Sequence, residues 1–130
     1  MESMEAIAIV TVLALIQYFV FSLDVAKARG KYNVSAPSIS GNPDFERAFR
    51  VHQNTMEQLV LFLPALWMFG YYVHPLWGAG IGVVFIIGRF VYRAGYLQDP
   101  SKRGNGFTIG FAASSILLLG GLIGAAMHLI

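Results

Sequence analysis

Arg47, Arg50, Asn54 and Glu57 follow one another at spacings of three, four and three residues. At about 100° per residue they fall within roughly an 80° arc of one helix, and Gln58 lies on the same arc. A second set, Arg89, Tyr92, Arg93 and Tyr96, occupies an arc of roughly 100°. Arg29 and Arg103 can join from flanking segments. The inventory is several guanidinium groups, one carboxylate, one amide and two phenols. Arginine forks grip carboxylates through paired hydrogen bonds, and Glu57 suits an ammonium. Such a site wants a small zwitterion with more acid than amine. His52 stands apart, roughly 160° from Arg50. It is either a bystander or reaches the site from a neighbouring copy of the same helix, which would place the site between subunits.

Other chemistries lack their residues. The chain has no cysteine, so any thiol must arrive on a ligand. A metal is not expected, because no His/Asp/Glu set has ligand spacing and the arginines would repel a cation. There is no Gly-rich phosphate loop and no Ser-His-Asp arrangement. The basic residues are spread between Lys27 and Arg103 rather than packed into the dense patch a nucleic acid requires, so no nucleic-acid partner is expected.

These polar residues run directly into Leu59-Val60-Leu61-Phe62-Leu63. Hydrophobic residues make up 56% of the 130 and charged residues only 12%, about half the charged share of a soluble domain. The composition is that of a polytopic membrane protein, and ionisable groups beside hydrocarbon mark a functional site by default. The segment from Met4 is apolar for the roughly 20 residues needed to span a bilayer. Its acidic start (Glu2, Glu5) and the lack of a small-residue cleavage site argue against a signal peptide. Asn42-Pro43-Asp44 reads as a helix start, Val73-His74-Pro75 as a tight turn, and Asp99–Asn105 as a loop. Helices are expected at about 4–29, 43–72, 76–98 and 106–130, in a single domain covering residues 1–130. The fold class is all-α, an integral membrane four-helix bundle running up-down-up-down. Gly78/Gly82, Gly106/Gly110 and Gly120/Gly124 have the spacing that lets membrane helices approach closely.

The turn at His74 makes helices two and three an antiparallel hairpin. Equal rise on both arms sets Glu57 level with Arg89, Asn54 with about Arg93, and Arg50 with about Tyr96. The two polar faces therefore share one layer. Lys27, Arg29, Lys31, Arg47 and Arg50 flank the first loop, Lys102 and Arg103 lie in the third, and the second carries no Lys or Arg. The positive-inside rule places that layer on the cytoplasmic side and both termini on the other. Taken alone, the first polar face is also compatible with a solvated interfacial surface. Tyr92 and Tyr96 are also compatible with membrane anchors, and Arg93 with a snorkelling cation.

The block Phe45-Glu46-Arg47-Ala48-Phe49-Arg50-Val51-His52-Gln53-Asn54-Thr55-Met56-Glu57 resembles the hallmark of the MAPEG superfamily, membrane-associated proteins in eicosanoid and glutathione metabolism. So does Gly88-Arg89-x-x-Tyr92-x-x-Gly95-Tyr96 followed by Pro100-Ser101-Lys102-Arg103. The His52-Gln53-Asn54-Thr55 run resembles most the microsomal glutathione transferase type 3 branch. His52 stands where the leukotriene-synthesising branch has Gln, Gln58 where that branch commonly has Tyr, and Gly30 where it has a second Arg. The resemblance implies a homotrimer with glutathione as co-substrate, bound between subunits near the cytosolic face. Arg50, Asn54, Glu57, Tyr92 and Tyr96 would contact glutathione within one subunit, and Arg29 and His52 would come from the neighbour. Arg103 falls where the family places an arginine near the thiol. The implied activity is glutathione transfer to a lipophilic electrophile drawn from the membrane lipid, or reduction of a lipid hydroperoxide. The alternative is a non-catalytic lipid-binding or scaffold protein of the same family. The ending His128-Leu129-Ile130 lacks a lysine retrieval signal, which favours a bacterial inner membrane over endoplasmic reticulum.

Overall fold

A computed structural model describes residues 3–130. These form four long helices: α1 (Glu5–Tyr32), α2 (Pro43–Tyr72), α3 (Pro75–Gln98) and α4 (Gly104–Leu129). One 3₁₀ turn, Pro100–Arg103, leads directly into α4. This differs from the expected loop over Asp99–Asn105. The Asp99 side chain accepts from Ser101 N at 3.0 Å, which winds the segment before the helix begins, and the same bond holds its carboxyl below the usual range. The effect is to deliver Arg103 at the mouth of α4 instead of in a free loop. α1 also runs on to Tyr32 and stops where Asn33 turns left-handed, with φ 57°.

The other helix starts follow local chemistry. Asn42 Oδ1 accepts from Asp44 N at 2.9 Å and Phe45 N at 3.1 Å, two of the donors that the first helical turn leaves without partners. Pro43 then occupies a position that has no need of an N–H. His74 does the same for α3, its Nδ1 accepting from Leu76 N at 3.1 Å and Trp77 N at 3.4 Å.

The side-chain meetings define the topology. Gln17 Nε2 donates to Ile86 O at 2.9 Å and Asp24 pairs with Arg93, so α1 and α3 run parallel. Trp67 Nε1 donates to Thr11 Oγ1 at 2.9 Å, and Gly70 packs on Ile7, so α2 is antiparallel to α1. Gly88 lies on Gly110 and Gly106 on Tyr92, making α4 antiparallel to α3. The bundle is up-down-up-down. Its centre is a parallel stack of Phe62 on Phe85 with ring centroids 3.8 Å apart, enclosed by Ile7, Leu66 and Leu117, each fully buried. The glycine spacings serve packing within the chain. A Cβ on Gly88 would stand 2.9 Å from Gly110 N, one on Gly82 would stand 2.7 Å from Val10 Cγ1, and one on Gly106 would collide with the Tyr92 backbone.

Three helical stretches, Glu5–Tyr32, Pro75–Gln98 and Pro100–Leu129, are long and apolar enough to cross a membrane. α2, the fourth expected span, is not among them. Its polar residues continue to Gln58, leaving only Leu59 to Tyr72 apolar, which is short of a roughly 30 Å core. α2 packs against all three other helices.

Candidate functional site

α2, α3 and the 3₁₀ turn before α4 form an open cleft of about 320 Å³ lined by Arg50, Gln53, Asn54, Glu57, Tyr92, Tyr96 and Arg103. Helical periodicity and the capped start of α2 put Arg50, Gln53, Asn54 and Glu57 on one wall. α3 supplies Tyr92 and Tyr96, whose rings lie 5.6 Å apart. The 3₁₀ turn supplies Arg103, held in place by donation from Nη1 to Pro100 O at 2.7 Å. Six of the eight residues singled out from sequence line this one cleft. Gln53 was not among them. It lies four residues before Glu57 and three after Arg50, so a slightly wider arc would have included it.

Arg29 and His52 lie outside the cleft. Arg29 Nη1 donates to Ser38 O at 2.7 Å and its guanidinium covers the Phe45 ring at 4.8 Å. His52 stacks on Tyr18 of α1, centroids 4.6 Å apart. Within one chain, neither residue faces the group formed by Arg50 and Glu57.

Two cations expected to serve the ligand are engaged elsewhere. Arg93 Nε meets Asp24 Oδ2 at 2.7 Å, the one ion pair among the described residues. Arg89 is buried behind the cleft. Its Nη2 donates to Asn54 Oδ1 at 2.8 Å and to Thr55 Oγ1 at 2.9 Å, and its guanidinium stacks under Tyr92 at 4.1 Å. Hairpin register set Arg89 level with Glu57, but its partner is Asn54. Glu57 is exposed and stays in the cleft. The cleft thus presents two accessible guanidinium groups, Arg50 and Arg103, against one carboxylate. It is built for a ligand with excess negative charge.

Two further hollows adjoin it. One of about 340 Å³, formed by Pro43, Glu46, Arg47, Arg50, Tyr96 and Pro100, shares Arg50 and Tyr96. The other, about 490 Å³, is lined by Ser101, Arg103, Gly104, Phe107 and Thr108 and shares Arg103. Arg103 therefore stands between the polar cleft and a hollow with an aromatic wall at the head of a membrane-crossing helix. That is a suitable place for a polar nucleophile to meet an apolar partner. An apolar groove of about 350 Å³ lies deeper between α2 and α4, along Val60, Pro64, Met68 and Leu122.

Fold and cleft together define a helical membrane protein with a charged, polar cleft at one end of its bundle. The MAPEG family's sequence profile matches residues 7–123, and the chain belongs to that family. An uncharacterised protein of Synechocystis sp. is 46% identical over 116 residues, covering 89% of this chain and 85% of its own. Microsomal glutathione S-transferase 2 of Homo sapiens is 39% identical over 120 residues, covering 92% and 82%. Leukotriene C4 synthase of Rattus norvegicus is 37% identical over 102 residues, covering 78% and 68%. The family expected from sequence is thus shown; the named relatives with a described activity are a type 2 transferase and a leukotriene C4 synthase, whereas the sequence motifs suggested the type 3 branch.

Proposed function

We propose that this protein is a membrane-bound glutathione transferase. The observation that carries the reading is the gathering of Arg50, Asn54, Glu57, Tyr92, Tyr96 and Arg103 around one cleft. Glutathione has two carboxylates, one ammonium and one thiol. Arg50 grips a carboxylate, Glu57 takes the ammonium, and Asn54 and the two tyrosines supply directional hydrogen bonds. The similarity to a microsomal glutathione S-transferase across most of both chains supports the same reading.

An unperturbed thiol has a pKa of about 8.5, so only about 3% is thiolate at pH 7. The Arg103 guanidinium favours the anion. Lowering the pKa to about 6.5 raises the thiolate fraction to roughly three quarters, a differential stabilisation of about 2.7 kcal/mol. The thiolate sulfur attacks the electrophilic carbon of a lipophilic substrate, a C–S bond forms, and the electron pair leaves with the displaced group. With a lipid hydroperoxide the sulfur attacks the terminal peroxide oxygen instead: the O–O bond breaks, the alkoxide leaves and takes up a proton as the lipid alcohol, and a second glutathione reduces the resulting sulfenic acid to glutathione disulfide and water.

The active unit in this proposal is a homotrimer. Arg29 and His52 of each subunit complete the neighbour's cleft, because within their own chain they face away from it. The cleft end of the bundle is cytoplasmic, since the basic residues flank it, and both termini lie on the other side. The membrane is proposed to be a bacterial inner membrane.

The test is a conjugation assay with a generic aromatic electrophile on detergent-purified protein, run beside glutathione binding. Binding with turnover is expected. Binding without turnover would instead support a lipid-binding or scaffold role, to which the apolar groove between α2 and α4 is suited.

A further inference from the structure

Arg89 is 1% exposed, and its Nε has no hydrogen-bond partner. No carboxylate stands within ion-pair distance of it among the described residues. A buried cation without a counter-ion is costly, and packing alone would be served better by an apolar side chain. What Arg89 does have is a fixed relation to Asn54. Guanidinium carries donors only, so the atom of Asn54 at 2.8 Å from Nη2 is the amide oxygen. The other contact is equally determined. The Thr55 hydroxyl donates to Val51 O at 2.7 Å and so can only accept from Arg89. With its oxygen turned to Arg89, Asn54 has its NH₂ group left for the cleft that it lines.

We infer that Arg89 is a positioning residue that fixes Asn54 as a donor towards the cleft. An asparagine free to flip offers a ligand either a donor or an acceptor. Held by Arg89, it offers donors only, and the cleft recognises an acceptor at that point: a carboxylate or peptide carbonyl of the ligand. The inference rests on the glutathione reading for the identity of the ligand, but the Arg89–Asn54 relation stands without it.

Asn54→Asp separates this role from a structural one. The carboxylate gives Arg89 its missing counter-ion, so the variant should unfold at a higher temperature than wild type. It has no donor for the ligand, so its glutathione Kd should rise at least about tenfold. A purely structural Arg89 predicts instead that removing Arg89 lowers stability and leaves glutathione binding unchanged. Arg89→Met should weaken binding to a similar extent. Thr55→Val removes the other hydrogen bond of Arg89 and should lower stability while leaving binding within about threefold. If Arg89→Met fails to fold, Arg89→Gln replaces it: an amide can donate or accept, so it keeps a polar partner for Asn54 without fixing which way Asn54 turns, and binding should still weaken. Wild-type affinity in Asn54→Asp, or a loss in Thr55→Val equal to that in Asn54→Asp, overturns the inference. Failure of the wild-type chain to bind glutathione overturns the functional reading instead. The stability change in Asn54→Asp then decides the Arg89–Asn54 contact by itself, and no gain overturns it.

Discussion

At the scale of single residues, the cleft divides its arginines by what they touch. Arg50 and Arg103 keep their guanidinium groups accessible, Arg93 is neutralised by Asp24, and Arg89 supports Asn54 from behind. Substitutions should respond accordingly. Arg103→Met should lower turnover at pH 7 by about 20-fold or more, the ratio of thiolate fractions with and without the guanidinium, while glutathione binding stays within about threefold. Its pH–rate profile should also move. A thiol pKa depressed by Arg103 gives activity that is full above about pH 6.5 and lost as pH falls through it, and without Arg103 the rise moves to about pH 8.5. Asp24→Asn should act differently, by leaving the Arg93 charge unpaired. The pair is partly exposed, so we expect a loss of about 1 kcal/mol of stability in a thermal or denaturant melt.

At the scale of elements, the helix starts were legible because they depend on neighbours in sequence. Asn42-Pro43 caps α2 as its composition predicts. Asn42→Ala should cost about 1 kcal/mol in a denaturant melt. The wall formed by Arg50, Asn54 and Glu57 was legible for the same reason, since helical periodicity alone groups them. What could not be read was which helix each polar face would meet. Periodicity placed Arg93 beside Tyr92, but its partner Asp24 is on α1, far away in sequence, and no spacing rule connects them. The 3₁₀ turn that delivers Arg103 was also missed, because four residues with a proline at the start read as loop. Gly106 shows how closely the elements are matched: a larger residue there would push α4 off the Tyr92 backbone. Gly106→Val should destabilise the bundle by about 1–3 kcal/mol and weaken glutathione binding through Tyr92.

At the scale of the whole molecule, a polar cleft sits at one end of a bundle whose long helices expose many large apolar side chains. Residues such as Phe19, Val60 and Leu122 are largely exposed in the isolated chain, as lipid or a neighbouring copy requires. In the proposed trimer each cleft takes Arg103 from one subunit and Arg29 and His52 from the next. Two defective chains should then complement. Co-expressing Arg103→Met with a chain carrying both Arg29→Ala and His52→Ala should restore about one quarter of wild-type activity, because random mixing pairs intact faces at that frequency. Activity no higher than the average of the two separate variants would place the whole site within one subunit.

In the proposed reaction the cleft binds glutathione and Arg103 turns its thiol into the reactive anion. The most direct test is the ultraviolet absorption of the thiolate, followed as glutathione is titrated into the detergent-purified protein at pH 7. The expected result is a saturable thiolate signal in wild type that disappears in Arg103→Met while glutathione still binds. A bound glutathione that remains a thiol in wild type, or a thiolate signal of equal size in Arg103→Met, would contradict it.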